Sequence, residues 1–143
     1  MTFAVHNYLV NYDSYTGVDS PLGIIADKNR PMWNWILSDE AYLQEYHDVL
    51  SELVNVIDSG EYEKEAERVY QLIFPYIEED PKAFFTPDRS RQAYVTLLAI
   101  AKLRAESVDR QLIGQLAARS EDQNEEDKVE LKKASISQLY QNR

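Results

Sequence analysis

Several residue types and patterns are missing from this chain, and each absence excludes a class of protein. The 143 residues include no cysteine, which excludes disulfides, thiolate metal ligands and a cysteine nucleophile and is consistent with a reducing cytoplasm. No apolar run approaches the roughly 18 residues of a membrane-spanning helix. The first residues lack a basic region followed by an apolar core, so we expect no signal peptide. Acidic residues outnumber basic ones by 25 to 15, and the net charge of −10 argues against binding to nucleic acid or anionic membranes.

Motifs that carry chemistry are equally scarce. The sequence has no glycine-rich phosphate cradle and no serine–histidine arrangement typical of a catalytic triad. Its two histidines, His6 and His47, stand too far apart along the chain to give metal-site spacing, and we expect His6 to pack in the core and His47 to lie near the surface. The acidic run at 121–127 lacks the central glycine and terminal glutamate of a calcium loop. No metal site is therefore predicted.

The chain does have apolar residues at helical spacing, and this pattern is strongest over residues 86–119. Thr86 is a good N-cap and Pro87 suits the first helical position. Apolar side chains follow at spacings of mostly three and four: Tyr94, Leu97, Leu98, Ala101, Ala105, Val108, Leu112 and Leu116. Because other apolar residues fall off this face, we expect a long central helix enclosed by shorter ones, in an all-α bundle. Leu97→Ala should then cost about 2–5 kcal/mol, as for a buried leucine.

Three shorter helices are predicted between residue 31 and about residue 77. Pro31 opens a turn or two of helix, Ser38 is the expected cap of a second helix, and Ser59-Gly60 separates that helix from a third over about 61–77. Pro75 should kink or fray the end of the third helix. Phe84 and Phe85 are expected to tuck under the central helix. We therefore divide the chain into a helical domain at 1–119, an acidic linker at 120–127, and a terminal helix or tail at 128–143.

Two groups of residues are candidates for function. Asp13 follows an apolar element in a polar loop, where a carboxylate can act as a general base but is more commonly a turn or capping residue. Met32, Trp33 and Trp35 cluster where this loop region meets the helices. Tryptophan is usually well buried, so core packing is the ordinary expectation. If these side chains are exposed, they are anchors for a protein partner.

The first apolar segment and its loop, FAVHNYLVNYDSYTG, resemble the catalytic loop of the spore-coat protein H (CotH) kinase family. Four later segments follow in the family's order, so the resemblance covers roughly residues 3–113: NRPMWNWILSDEAYLQEYH, SGEYE, IFPYIEEDPKAFFT and LRAESVDRQL. The resemblance implies the helical C-terminal part of an atypical protein kinase, which uses ATP with magnesium or manganese to phosphorylate serines of spore-coat or secreted proteins. It also implies that Asp13 is the catalytic base, which accepts the proton of the attacking hydroxyl.

This chain departs from the family immediately after that loop. In the family, the glycine of DSYTG is followed by an H-N-Y-like segment and a P-W-D-x-N motif whose aspartate holds the metal. Here Gly17 runs straight into VDSPLGIIADKNRP, and the N-terminal lobe with its phosphate-binding lysine is also absent. Phosphoryl transfer depends on positioning and on charge neutralisation by metal and cation. The resemblance therefore predicts a fragment or degenerate relative that is catalytically silent and binds no cofactor by itself.

Two alternatives remain open at the level of sequence. The chain could be a non-catalytic interaction module that docks a protein such as a spore-coat protein. It could also be one part of a kinase that another chain completes by supplying the missing lobe. The expected location is the cytoplasm or the spore coat.

Overall fold

The computed structural model describes residues 4–5, 8–9, 23–24, 31–119, 122–124 and 126, with only the backbone described for Met32 and Trp33. Four helices have described bounds: α1 (Pro31–Leu37), α2 (Glu40–Asp58), α3 (Glu61–Glu79) and α4 (Pro87–Leu112). No strand occurs among these residues, and the all-α prediction is confirmed. None of the helices in the described part of the chain has the length and apolarity needed to cross a membrane.

The junction of α1 and α2 is capped by Asp39 rather than by the predicted Ser38. The Asp39 carboxylate accepts hydrogen bonds from the backbone N–H groups of Ala41 and Tyr42, at 2.9 and 3.2 Å. The Ser38 hydroxyl instead donates to the Trp35 carbonyl at 2.8 Å, at the end of α1. Both residue types cap helices well, so sequence alone placed the boundary one residue too early.

The predicted break between α2 and α3 is confirmed at Gly60, which has φ 79°. This left-handed conformation is the one that glycine adopts at little steric cost. Helix α3 then continues through Pro75 to Glu79, two residues beyond the predicted end. The hydrogen bond that Pro75 cannot donate would have ended on the carbonyl of Gln71, which belongs to an exposed residue.

Helix α4 begins as predicted but ends early. The Arg89 N–H donates to the Thr86 hydroxyl at 3.3 Å, which confirms Thr86 as the cap. The helix ends at Leu112 instead of running to residue 119, because Gly114 takes φ 75°. The N–H groups of Gln115 and Leu116 then fold back to the Arg110 carbonyl, at 2.8 and 3.0 Å. This glycine-terminated turn satisfies carbonyls at the helix end.

The described residues fall into two compact units, whose boundaries lie inside α2 and α4. The first unit holds the residues up to Asn55 and those from Arg104 to residue 126; the second holds Val56–Leu103. The core of the first unit consists of these buried apolar residues: Ala4, Tyr8, Ile24, Tyr46, Leu50, Val54, Ala105, Val108 and Leu116. Gln123, within the predicted acidic linker, is also buried and donates to the Ala117 carbonyl at 2.7 Å.

Buried polar side chains of α4 hold loop segments in the first unit. The Ile24 N–H donates to the Gln111 side-chain oxygen at 2.9 Å and to the Ala118 carbonyl at 3.0 Å, while the Tyr46 hydroxyl donates to the Ile24 carbonyl. The Arg104 guanidinium donates to the Tyr8 carbonyl at 3.3 Å. Both backbone groups of Ile24 are thereby satisfied in the core, as buried backbone requires.

The second unit is much less buried than its periodicity suggested. Helix α3 contains no buried residue, and Leu97 on α4 is 50% exposed, so the prediction that Leu97 lies in the core is wrong. Phe84 is 98% exposed and is not tucked under α4, contrary to the expectation. Phe85 lies instead under the Arg89 guanidinium, 5.5 Å from the ring centre. Apolar stripes are present on α3 and on the part of α4 that contains Leu97, but within the second unit they are only partly buried.

Candidate functional site

Helix α3 and the part of α4 up to Leu103 form an antiparallel hairpin within the second unit. Their polar contacts pair residues in opposite chain order: Glu63 with Lys102 at 2.8 Å, Glu67 with Tyr94 at 2.6 Å, and Glu78 with Arg91 at 2.9 Å. Antiparallel neighbours are expected for helices joined by a short connection. These contacts are charge-assisted and lie at the surface, so each adds little stability by itself. Together they fix the register of the two helices.

Aromatic side chains fill the space between the two helices. The rings of Tyr70 on α3 and Tyr94 on α4 stack with centroids 4.3 Å apart at an angle of 17°. Phe74 lies one turn along α3, with its ring centre 5.0 Å from that of Tyr70. The Arg91 guanidinium sits over the Phe74 ring at 4.5 Å, which is a cation–π geometry. The hairpin is therefore held by one aromatic row.

Beside this row, the hairpin carries an open groove of about 670 Å³, which we call the α3–α4 groove. The residues that line it are Tyr62, Glu65, Ala66, Val69, Tyr70, Ile73 and Ile77 from α3, and Ser90, Ala93, Tyr94, Leu97 and Ile100 from α4. Only Glu65 and Ser90 are fully polar. Ile73 is 44% exposed and Leu97 50% exposed. A continuous exposed apolar surface of this kind is typical of an interaction site.

The two walls of the groove differ in charge. Helix α3 has six glutamates against one lysine and one arginine, a net charge of −4. The part of α4 that belongs to the second unit has three basic residues against one acidic one, a net charge of +2. The hydrogen bond from Tyr94 to Glu67 raises the pKa of Tyr94 to about 12 and is the main cause that lowers the pKa of Glu67. The basic residues Arg91 and Lys102 are already paired with glutamates of α3, and Glu65 is the only charged residue of the lining.

Two of the polar side chains that line the groove, Glu65 and Tyr94, are bonded to neighbouring side chains. Among the residues that the structure describes, no group of three or more histidine, aspartate or glutamate side chains is placed to hold a metal ion. Glu65 is bonded to Arg68 at 2.7 and 2.8 Å, and the Tyr94 hydroxyl is bonded to Glu67. The lining thus offers apolar contact with few polar groups to orient a reacting molecule.

The site residues predicted from sequence are described only in part. Asp13 lies outside the described residues. Met32 and Trp33 belong to α1, but their side chains lie outside the description as well. Trp35 is 60% exposed, contrary to the ordinary expectation of core packing, and its ring lies 5.0 Å from that of Tyr42. Its role as an anchor for a partner stays a prediction.

The remaining histidine with a described environment is His47 on α2. It is half-buried, and desolvation lowers the pKa of its imidazole while the neighbouring Asp48 carboxylate opposes that shift. It lies closer to the interior than the expected surface position.

The groove was not predicted from the sequence, because periodicity placed the apolar stripe of α4, including Leu97, in the core and indicated α3 only as a helix over about 61–77. What periodicity does not reveal is whether a second layer covers a stripe.

Comparison with models of known protein families, with curated proteins and with solved structures found no match.

Proposed function

We propose that this chain is a non-catalytic protein-interaction module whose α3–α4 groove binds an amphipathic helix of a protein. The observation that carries the proposal is the exposure of α3. This helix has 19 residues and a clear apolar stripe, yet no residue in it is buried. An amphipathic helix normally covers its stripe with a neighbour, and α4 covers only part of this one.

The shape of the groove favours a helix over a small molecule. Two antiparallel helices line it with side chains spaced three and four residues apart, which is the pattern that a third helix packs against. Small-molecule sites enclose most of their ligand and place several polar groups around it. This groove is open, and its fully polar lining is limited to Glu65 and Ser90. Helix-in-groove recognition fits both features.

The proposal includes a relationship with the CotH-type kinases, as a shortened relative that is silent by itself. Its support is the resemblance over residues 3–113, with Asp13 matching the catalytic aspartate while the metal-binding motif after Gly17 is missing. A protein that keeps the helical part of a kinase but loses the metal site retains binding surfaces without phosphoryl transfer. The partner would be a spore-coat protein or a kinase lobe supplied by another chain.

The binding half of the proposal is tested with a synthetic helical peptide. The peptide carries leucines at i, i+3, i+4 and i+7, lysines along one edge and glutamates along the other, and its scrambled version is the control. Fluorescence anisotropy at low protein concentration should show binding of the patterned peptide alone. Ile73→Glu should weaken it at least about tenfold, since it places a charge in the groove. Leu72→Glu, one residue away and outside the lining, should not. Equal binding by both variants would overturn the site.

The catalytic half is tested by nucleotide titration and by phosphorylation assays with magnesium and manganese. We expect neither nucleotide binding nor phosphate transfer by the purified chain. Robust phosphorylation that disappears in Asp13→Asn would establish an active kinase and refute the proposal. Nucleotide binding that appears only after another chain is added would favour the completed-kinase alternative.

A further inference from the structure

We propose that the rings of Trp35 and Tyr42, which we call the ring pair, form a second docking site that binds an arginine-bearing basic segment of another protein. The ring pair lies in the first unit and shares no residue with the α3–α4 groove. The inference therefore does not rest on the proposed function. It names the chemistry that the candidate anchor Trp35 recognises.

The two rings are held together across the junction of α1 and α2. Trp35 lies near the end of α1 and is exposed, and Tyr42, in the first turn of α2, is 43% exposed. The ring centroids are 5.0 Å apart, and the ring planes meet at 50°. The Asp39 cap and the hydrogen bond from the Ser38 hydroxyl to the Trp35 carbonyl hold the backbone between them. Two aromatic faces are thus pre-organised at the surface, which lowers the entropic cost of binding.

Elsewhere in the described part of the chain, two phenylalanine rings receive a cation from the chain itself. The Arg91 guanidinium lies 4.5 Å from the ring centre of Phe74, and that of Arg89 lies 5.5 Å from the ring centre of Phe85. Over the ring pair, the described residues place no guanidinium or ammonium group. Indole attracts a cation more strongly than the other aromatic side chains do. The ring pair therefore offers its faces to a cation that a partner supplies.

The charge around the ring pair selects a basic partner. The Asp39 carboxylate lies beside Tyr42, since it accepts the backbone N–H of that residue at 3.2 Å. The part of α2 in the first unit contains no lysine or arginine and has a net charge of −4, from Glu40, Glu45, Asp48 and Glu52. Glu40 and Glu52 are exposed and form no ion pair with a described residue. A positively charged segment is attracted to this surface, whereas nucleic acid or an anionic membrane is repelled.

Arginine fits this combination better than lysine, and a segment fits it better than a free cation. The planar guanidinium can stack on a ring and still donate to a carboxylate such as that of Asp39. The ring pair is open and would enclose a free cation poorly, so a ligand needs further contacts along α2. Glu52 follows Tyr42 by ten residues, about 15 Å along the helix, which about five residues of extended chain span. A basic segment with its arginine on the ring pair therefore also reaches Glu52.

Fluorescence anisotropy with labelled peptides of about ten residues tests the proposal, since this length spans from the ring pair to Glu52. The probe alternates arginine with serine, and its controls alternate lysine or glutamate with serine. We expect the arginine peptide to bind more tightly than the lysine peptide, the glutamate peptide not to bind, and added salt to weaken binding. Trp35→Ala and Tyr42→Ala should each weaken binding of the arginine peptide at least about tenfold. The matched control is Tyr76→Ala, which removes an exposed ring of α3 and should not weaken it.

Asp39→Asn and Asp80→Asn separate local charge from net charge. Each removes one negative charge, and asparagine still caps α2 at position 39. Only Asp39→Asn should weaken binding, because Asp80 is an exposed residue of the second unit. Circular dichroism checks that every variant keeps its helices.

Three results would refute the inference. The first is an unmodified chain that does not bind the arginine peptide at low salt. The second is equal affinity in Trp35→Ala, Tyr42→Ala and Tyr76→Ala, or equal losses in the two asparagine variants, since net charge alone would then attract the peptide. The third is loss of binding in Ile73→Gln, which would place the peptide in the α3–α4 groove. None of these results decides whether the groove binds the patterned helical peptide, so the two sites are tested separately.

Discussion

The Tyr94 hydroxyl donates a 2.6 Å hydrogen bond to the Glu67 carboxylate, and the Tyr94 ring stacks on the ring of Tyr70. One side chain of α4 therefore contacts two residues of α3. The bond favours protonated Tyr94 and ionised Glu67. This explains in one contact why the pKa of Tyr94 rises to about 12 and that of Glu67 falls. The residue that joins the hairpin also lines the groove.

Tyr94→Phe should remove this bond and keep the stacking. In the unfolded chain tyrosine titrates near 10.0, whereas folded Tyr94 titrates near 12. A raised pKa contributes stability below pH 10, and this is lost as the pH rises towards 12. The variant should have a lower thermal midpoint at neutral pH and a flatter dependence over that alkaline range, as measured by circular dichroism. Tyr76→Phe, at a position 73% exposed, is the control and should match the unmodified chain.

Leu50→Ala and Leu97→Ala should differ strongly in cost. Leu50 on α2 has no exposed surface, so its truncation should lower the free energy of unfolding by about 2–5 kcal/mol. Leu97 is 50% exposed, and we expect a loss of about 1 kcal/mol or less. Urea unfolding at a concentration where the chain is monomeric measures both. A loss above about 2 kcal/mol for Leu97→Ala would mean that a neighbour covers the groove within one chain.

Local features of the fold were predictable because they depend on residues within one helical turn. Thr86 before Pro87, and Gly60 after Ser59, specify a start and a stop through hydrogen bonds and backbone angles of the residues themselves. Gly114 carried the same kind of signal for the end of α4, but the apolar Leu116 beyond it extended the periodic pattern and hid the stop.

Burial could not be predicted in the same way, because it depends on distant neighbours. Leu97 and Val108 belong to one periodic stripe on α4, yet Leu97 is half-exposed and Val108 is fully buried. The difference arises because Val108 packs in the core of the first unit, whereas Leu97 opens onto the groove. Of the predicted site, Trp35 was identified as a candidate anchor, while Asp13 remains a prediction from the CotH resemblance. The groove itself depends on which apolar residues of α3 and α4 stay uncovered, and periodicity does not specify this.

Gly60→Ala tests the turn between α2 and α3. An added Cβ would meet no atom within 4 Å, so the cost comes from the backbone angle and not from crowding. A non-glycine residue at φ 79° costs about 1–2 kcal/mol, which should appear as a loss of unfolding free energy. Gly60→Asn should lose less, because asparagine tolerates this conformation better. Equal losses for alanine and asparagine would show that the left-handed angle is not the cause.

His47 should make the protein less stable as the pH falls below about 6.5. Burial lowers the pKa of the folded imidazole below the 6.5 of the unfolded chain, so the unfolded state takes up the proton first. Proton binding by the unfolded state reduces the free energy of unfolding, and the loss is complete only below the folded pKa. Urea unfolding from about pH 7 to about pH 5 should therefore show a weaker pH dependence in His47→Gln than in the unmodified chain. Asp48→Asn should strengthen the dependence, because the Asp48 carboxylate favours the protonated imidazole and partly offsets the effect of burial. Parallel curves for His47→Gln and the unmodified chain would mean that the fold does not disfavour the charged ring.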